Sequence, residues 1–257
     1  MRRRLSIALG VAAALATTVA VGVALAPSAQ AIADGELVPE GKYQFSVKLT
    51  MTNIPRTDGS HYDSACSAAL ISPQWIITAG HCFHDAPRNR VSGPVPYPTM
   101  ATIGRVDYTG TGGHDIPVVW VQQSPSTDIA LAELAEPVTD VKPLALSTKK
   151  PKTGQVLRIT GWGATDSVDP VPGTLLRTGQ VKVSSVTGSV VGVQGYQPKP
   201  TTSACLYDSG APYFVERDDQ APELVSIESD GPDCPHHLEE TTSRVDNIVN
   251  WIHQIIR

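Results

Sequence analysis

The sequence has few basic residues. Its 257 residues include 20 lysines and arginines against 25 aspartates and glutamates, which gives a formal net charge of −5. Proteins that bind nucleic acids need clustered Lys and Arg side chains against the phosphates. The low basic content therefore argues against nucleic acid as a partner. Internal repeats, heptads and low-complexity linkers are also missing, and no break in composition indicates an unrelated second domain.

Charged residues are missing from Leu5 to Ala33, directly after the basic start Met1-Arg2-Arg3-Arg4. This apolar run ends in the small-x-small site Ala29-Gln30-Ala31, which is typical of a secretory signal peptide. We expect residues 1–31 to be removed and residues 32–257 to form a secreted, extracellular domain with no membrane attachment. Loss of three arginines and no acid changes the formal charge from −5 to −8. The alternative is a transmembrane anchor, because the run is long enough to span a bilayer.

Cysteines are also few, and none forms a C-x-x-C element. The four are Cys66, Cys82, Cys205 and Cys234. Export makes disulfides the expected state, and four cysteines allow three pairings. Zinc is the competing interpretation, and the spacing does not favour it. The residues alone do not choose among the pairings.

Long stretches of helical period are rare, whereas glycine and proline number 21 each. Short apolar runs alternate with turn-rich segments, which is typical of an antiparallel sandwich or barrel. The predicted strands are 43–49, 68–71, 75–78, 99–103, 116–122, 156–161, 179–186 and 224–227. The end of the chain differs, because apolar residues from Val245 to Ile255 recur at a helical period. They predict a terminal amphipathic helix with Ser243 as a candidate cap.

Three segments each contain one residue of a set that could support nucleophilic catalysis, namely a histidine, an aspartate and a serine. His81 lies in "TAGHC", Asp128 begins "DIAL" and Ser209 lies in "DSGAP". A nucleophilic serine needs a base within hydrogen-bond reach and an anion that orients the base. Taken singly, the histidine could be a packed core residue, the aspartate a cap and the serine part of a polar turn.

Together, these motifs resemble the chymotrypsin/trypsin family of serine proteases, with "GWG" at 161–163 and the ending "VNWIHQII" as further matches. The resemblance spans nearly the whole chain after residue 31, and we expect a secreted, bacterial-type member. It implies an all-β fold of two antiparallel six-stranded β-barrels with a C-terminal α-helix. It also implies the disulfides Cys66–Cys82 and Cys205–Cys234.

The resemblance implies a catalytic triad without metal or cofactor. His81 would take the proton of Ser209 as the serine attacks a peptide carbonyl, and Asp128 would hold the tautomer of His81. Backbone N–H groups of Tyr207 and Ser209 would form the oxyanion hole. A freed Ile32 amine would pair with Asp208 and order that loop. The partner would be a protein or peptide substrate, and we expect a monomer.

Two features depart from the family pattern. Tyr207 replaces a glycine, which puts the oxyanion hole in doubt. Aligning "LVSIESDGPDC" on the family's V-S-W-G keeps Ser226 as the serine and places Ile227 at the Trp and Glu228 at the Gly of the specificity pocket. Counting back from the terminal helix places Glu240 at another glycine of the pocket wall, and Ser203 takes the position at the pocket base. The two glutamates could recruit a basic side chain, close the pocket by their bulk, or lie solvated at the surface.

Two further functions remain open. A protease-like binding protein with impaired catalysis is the alternative from another class, and an esterase would use the same triad. The other histidines have no partner at a metal-ligand spacing, so they are expected at the surface; they are His61, His84, His114, His236, His237 and His253.

Overall fold

The computed structural model describes residues 32–217 and 220–256, so the predicted signal peptide lies outside the described residues. Fifteen strands and one α-helix are present in these ranges. The strands before residue 140 are β1 Glu36–Leu37, β2 Ser46–Pro55, β3 His61–Ser72, β4 Trp75–Thr78, β5 Gly93–Pro94, β6 Thr99–Ile103, β7 His114–Gln123 and β8 Ala130–Leu134. The later strands are β9 Ala145–Leu146, β10 Val156–Gly161, β11 Arg177–Val186, β12 Val190–Gln197, β13 Pro212–Arg217, β14 Gln220–Asp230 and β15 Glu240–Arg244, followed by helix α1 Val249–Ile255.

The first barrel is a closed ring of six antiparallel strands in the order β7-β6-β2-β3-β4-β8, with β5 added beside β7. The ring closes because β7 pairs with both β6 and β8. Alternate residues of β2, including Val47, Leu49 and Met51, are buried in the barrel interior. Ser46 and Lys48, which alternate with them on the opposite face, are buried as well, so both faces of this part of β2 are covered.

The second barrel closes in the same way, in the order β11-β10-β13-β14-β15-β12, through the pairing of β11 with β12. Its interior is filled by a separate apolar cluster that includes Ile159, Val181 and Tyr213. Two-residue strands β1 and β9 pair with β11 and β14 outside the ring. The expected fold, two six-stranded barrels with a C-terminal helix, is therefore confirmed.

The larger apolar cluster fills the first barrel and continues through Phe214 and Ile227 to Val249 and Ile252 of the helix. Burial of this continuous apolar surface, at roughly 25 cal/mol per Å², holds the two barrels and the helix together. The cleft between the barrels therefore has walls that are fixed by packing on both sides.

Two expectations from the sequence need correction. Ser243 does not cap the helix, because it lies in β15 and pairs with Ile227 and Val190 of the neighbouring strands. Sheet pairing here overrides the local helical pattern. His84 and His236 are buried, at 5% and 8% exposure, and are not surface residues. Within the described ranges, no group of three or more His, Cys, Asp and Glu side chains is arranged to hold a metal.

Candidate active site

The cleft takes its chemical groups from both barrels. His81 lies in the 3₁₀ turn Gly80–Cys82 that follows β4, and Asp128 lies just before β8. Because β4 and β8 are paired neighbours, the two residues meet at one end of the first barrel. Ser209 lies in the loop between β12 and β13 of the second barrel. The structure places His81 and Ser209 in the lining of the same two cavities.

Asp128 holds His81 by two hydrogen bonds. Its Oδ2 lies 2.7 Å from Nδ1 of His81, and its Oδ1 accepts the backbone N–H of His81 at 2.9 Å. Burial raises the pKa of Asp128, but the hydrogen bonds and charge of His81 and a hydrogen bond from Ser229 bring the pKa below its ordinary value. A carboxylate facing Nδ1 requires the proton on that nitrogen, which leaves Nε2 as the basic atom.

Ser229 is a site residue that the sequence alignment missed. Its Oγ donates to Oδ2 of Asp128 at 2.8 Å. The sequence alignment put Ser226 at the serine of V-S-W-G. Ser226 is instead buried in the second barrel, with its Oγ 2.8 Å from Oγ1 of Thr242. The segment Ser229-Asp230-Gly231 keeps both the serine and the glycine of V-S-W-G. That spacing was the signal available in the sequence.

Two disulfides join Cys66 to Cys82 and Cys205 to Cys234, the pairing that the family resemblance implied. All four cysteines are oxidised, so no thiolate is left for zinc. One bridge fixes the turn that carries His81, and the other ties the Ser209 loop to the segment after β14. Both histidine and serine therefore lie within a few residues of a covalent cross-link.

The loop around Ser209 contains two residues in the left-handed backbone conformation that glycine adopts without strain. Tyr207 has φ of 73°, and Gly210 has φ of 86°. A Cβ on Gly210 would lie 2.1 Å from Oγ1 of Thr78 and 2.2 Å from the carbonyl oxygen of Ser67. Within the described residues, the N–H groups of Tyr207 and Ser209 have no backbone acceptor, whereas those of Asp208, Gly210 and Ala211 do. Two N–H donors, one on each side of Asp208, are thus left without a backbone partner in the described part of the chain.

Asp208 is fully buried and lies beside Ile32, which is also buried. It accepts hydrogen bonds from the backbone N–H groups of Gly163 at 2.7 Å and Cys205 at 3.1 Å, and a further one from Ile32. Burial raises the pKa of Asp208 to about 7, against the effect of these donors, and the charge of Glu240 raises it further. The structure therefore brings the predicted pair, Ile32 and Asp208, into contact.

A cavity of about 310 Å³ opens beside Ser209 and His81. Glu228 and Glu240 line it at 4% and 2% exposure, so they are not solvated surface charges. The cavity is open beside them, so their bulk does not close the pocket. Ser203 is not among the lining residues, and its Oγ accepts the backbone N–H of His236 at 3.4 Å. Ile227 does not line this cavity, because its side chain packs in the hydrophobic core. The three-residue shift in register explains that difference.

The two glutamates meet at one hydroxyl. Oη of Tyr213 lies 2.7 Å from Oε2 of Glu228 and 2.6 Å from Oε2 of Glu240. A single hydroxyl donates only one proton, so one of the two carboxyl groups must itself supply a proton to Tyr213. Glu240 also accepts the backbone N–H of Ala204 at 2.6 Å. Burial and the charge of Glu240 raise the pKa of Glu228 well above its ordinary value, so Glu228 is the protonated member.

Two closed six-stranded antiparallel barrels, with a His–Asp pair and a serine in the cleft between them, define the class of the protein, which is that of the chymotrypsin-like fold. A model of the trypsin family matches residues 32–252, and the chain belongs to the trypsin family.

The chain is similar to three curated proteins named transmembrane protease serine 7. It is 26% identical to that of Mus musculus over 250 residues, 88% of this chain and 28% of the relative. The identity to that of Rattus norvegicus is 26% over 74% of this chain and 25% of the relative, and to that of Homo sapiens 26% over 84% and 27%. The aligned region thus spans about a quarter of each relative.

These relatives are mammalian, and they give no support to the expectation of a bacterial-type member. Their names describe transmembrane proteins. In the part of the chain that the structure describes, no helix has the length and apolar character needed to cross a membrane.

Proposed function

We propose that this chain hydrolyses peptide bonds through an acyl-enzyme on Ser209. The observation that carries the proposal is the 2.7 Å hydrogen bond between His81 Nδ1 and Asp128 Oδ2, in a cleft whose lining includes Ser209. Nε2 of His81 removes the hydroxyl proton as Oγ of Ser209 bonds to the scissile carbonyl carbon. The same nitrogen then delivers the proton to the leaving amine, and water completes the cycle by the reverse route.

The free N–H groups of Tyr207 and Ser209 are the donors that we assign to the oxyanion. Each such donor contributes about 3 kcal/mol to transition-state stabilisation in characterised examples. The left-handed backbone of Tyr207 supports this assignment, because it is the conformation that a glycine would otherwise supply. The tyrosine side chain is compatible with it, since its hydroxyl reaches the carbonyl oxygen of Pro170.

We further propose that the 310 Å³ cavity receives a basic side chain on the amino side of the scissile bond. Its lining includes Glu228, Glu240, Asp230 and Asp233 and no lysine or arginine. A lysine or arginine side chain entering it would replace the proton held by Glu228 as the charge that compensates the buried pair. Ser203, the residue expected at the pocket base, carries no charge, so the acidic groups of the cavity come from its other residues.

Secretion and processing after Ala31 are part of the proposal. The charge-free segment 5–33 and the small-x-small site support them. Cleavage there would give Ile32 a charged amine beside the buried Asp208. The resulting ion pair would fix the loop that presents Tyr207 and Ser209.

Labelling with a fluorophosphonate probe tests whether Ser209 is activated. Wild-type protein that starts at Ile32 should be labelled, and Ser209→Ala should not. Ser229→Ala should be labelled more slowly, because Asp128 loses one of its hydrogen-bond donors. A folded, correctly processed wild type that resists the probe would favour the alternative, a protease-like protein that binds without cleaving.

A further inference from the structure

A second cavity, of about 350 Å³, has Tyr207 in its lining. The 310 Å³ cavity lined by Glu228, Asp230, Asp233 and Glu240 is called the acidic pocket here. The acidic pocket shares His81, Leu206 and Ser209 with a middle cavity. The middle cavity in turn shares Ser64, Ala65 and Tyr207 with this second one. The three cavities therefore form one track that passes over Ser209. A peptide whose amino side enters the acidic pocket would direct its leaving-group side along this track.

Lys48 lines the second cavity although it is only 4% exposed. Its Nζ donates to the carbonyl oxygen of Gly173 at 2.6 Å and lies 4.9 Å from the ring centroid of Tyr108. Gly173 and Tyr108 line the same cavity, so the ammonium group lies at the cavity wall. Lys48 makes no salt bridge within residues 32–217 and 220–256, whereas Lys42 and Lys199 each make one.

Lys48 is a buried cation without a carboxylate at salt-bridge distance in the described part of the chain. Burial lowers the pKa of Lys48 to about 8, and the charge of Asp208 opposes the shift. Asp208 makes its own hydrogen bonds to backbone N–H groups. A buried ammonium group is costly without an anion in contact, and a bound carboxylate would remove that cost.

Thr50 adds an unsatisfied hydroxyl group to the same wall. It lies two residues after Lys48 in β2, so both side chains are on one face of the strand. Oγ1 of Thr50 is buried and has no hydrogen-bond partner in the described part of the chain. Ala65, its partner across the β2–β3 ladder, has a small side chain that leaves space above it. An ammonium and a hydroxyl on one wall together suit a carboxylate.

From these contacts we propose that the second cavity is a leaving-group subsite that binds a carboxylate of the substrate through Lys48 and Thr50. The proposal rests on the proposed peptidase function. Charge along the track agrees with it, since four acidic residues line the pocket on one side of Ser209 and Lys48 and Arg88 line the cavities on the other. Asp63, the one acidic residue in those two linings, is exposed and accepts the N–H of Asn53.

The carboxylate can come from an Asp or Glu side chain or from the carboxyl terminus of a short leaving group. Matched peptides separate these sources. One set carries Asp or Asn, or Glu or Gln, at each of the first three positions after the scissile bond, with both ends blocked. A second set ends two residues after the bond in either a free carboxylate or a carboxamide.

We expect kcat/KM to be about tenfold higher for the acidic member of at least one pair, the size expected for a hydrogen-bonded charge. Lys48→Met should bring that ratio close to one, and Lys150→Met, at an exposed lysine, should leave it unchanged. If Lys48→Met fails to fold, Thr50→Val supplies the test by lowering the ratio. Equal rates for acidic and amide peptides in an active wild type would overturn the proposal and leave the peptidase function intact.

Binding to the Ser209→Ala variant, measured by fluorescence anisotropy, makes the test independent of turnover. The acidic peptide should bind about tenfold more tightly than its amide partner, and Lys48→Met in the same background should abolish the difference. If the preference for the acidic peptide remains in Lys48→Met but is lost in Arg88→Met, the carboxylate binds in the middle cavity. That result would overturn the assignment to Lys48. A protein that binds selectively but is not labelled by the fluorophosphonate would retain the subsite and lose the peptidase function.

Discussion

At the scale of single residues, Tyr207 is the position where side chain and backbone conflict. Its φ of 73° is in the left-handed region, which costs a non-glycine residue about 1–2 kcal/mol. The ring is half-buried and its hydroxyl donates to the carbonyl oxygen of Pro170, and both features offset part of this cost. The strain is retained at the loop that presents the two free N–H groups.

Substitutions of Tyr207 separate the cost of the backbone strain from the stabilisation by the ring. Tyr207→Ala keeps the strain and loses the ring, whereas Tyr207→Gly loses both. We expect the glycine variant to be more stable than the alanine variant by about 0.5–1 kcal/mol, after allowing for the greater flexibility of unfolded glycine. Urea denaturation of the two variants measures the difference. Both should retain fluorophosphonate labelling because both keep the backbone N–H, and a more stable alanine variant would contradict this account.

At the scale of elements, the register of β14 against β15 determines the acidic pocket. Glu228 pairs with Thr242 across this ladder, and Glu240 begins the second strand. Both carboxyl groups reach Tyr213 of β13, so three adjacent strands contribute to one hydrogen-bonded chain. Asp208 and Asp230 add their charges to Glu228 from the neighbouring loop and strand end.

Glu228→Gln tests the hydrogen bonding of the two glutamates to Tyr213 through the pH dependence of stability. The raised pKa means that folded protein binds more protons than unfolded protein above pH 4.5, so wild-type stability falls as pH rises from there toward the folded pKa. Glutamine cannot ionise. We expect the variant to match wild type near pH 4 and to exceed its unfolding free energy by about 1 kcal/mol or more at pH 8.

The same variant should cleave less selectively after lysine and arginine than after leucine, because one acidic group of the pocket is lost. Glu223→Gln, on the same strand but outside this pocket, is the matched control. Parallel pH–stability curves for wild type and Glu228→Gln would show that the buried glutamate does not hold the proton. Unchanged selectivity would place the acidic pocket outside substrate recognition.

Most strand positions could be predicted from alternation and turn residues, and Trp75–Thr78, Thr99–Ile103 and Val156–Gly161 agree with the structure end to end. The family motifs also located His81, Asp128 and Ser209 near one cleft. The alignment missed Ser229 because two serines three residues apart fit the serine of V-S-W-G, and only the spacing to Gly231 favours Ser229. The sequence could not indicate the burial of Lys48 or Glu240, since burial of a charged residue depends on strands that are distant in sequence.

At the scale of the whole molecule, the proposed processing after Ala31 would join the new amino terminus and the loop before Ser209 through Asp208. The amine of Ile32 would gain a buried partner in Asp208, which raises the folded pKa of the amine above about 7.7–8.0, the value of a free terminus. Its stabilising effect is then fully present below that value and is lost as pH rises through the folded pKa.

A chain that begins at Ile32 should therefore lose activity at alkaline pH as the amine deprotonates. A chain with one additional residue, beginning at Ala31, should have lower kcat/KM and lack this alkaline limb. Circular dichroism of both forms controls for folding, and Edman sequencing of the secreted protein establishes the natural start. Equal activity of the two forms, or a natural start well beyond Ile32, would contradict the role given to this amine.

Closure of the two barrels also has a consequence for the protein in concentrated solution. Each ring returns to its first strand, and the described strands outside the rings, β1, β5 and β9, are two residues long. A growing aggregate needs an extended open edge on which further chains can add strands. The folded protein offers little such template, so self-association by strand addition should require prior opening of a barrel.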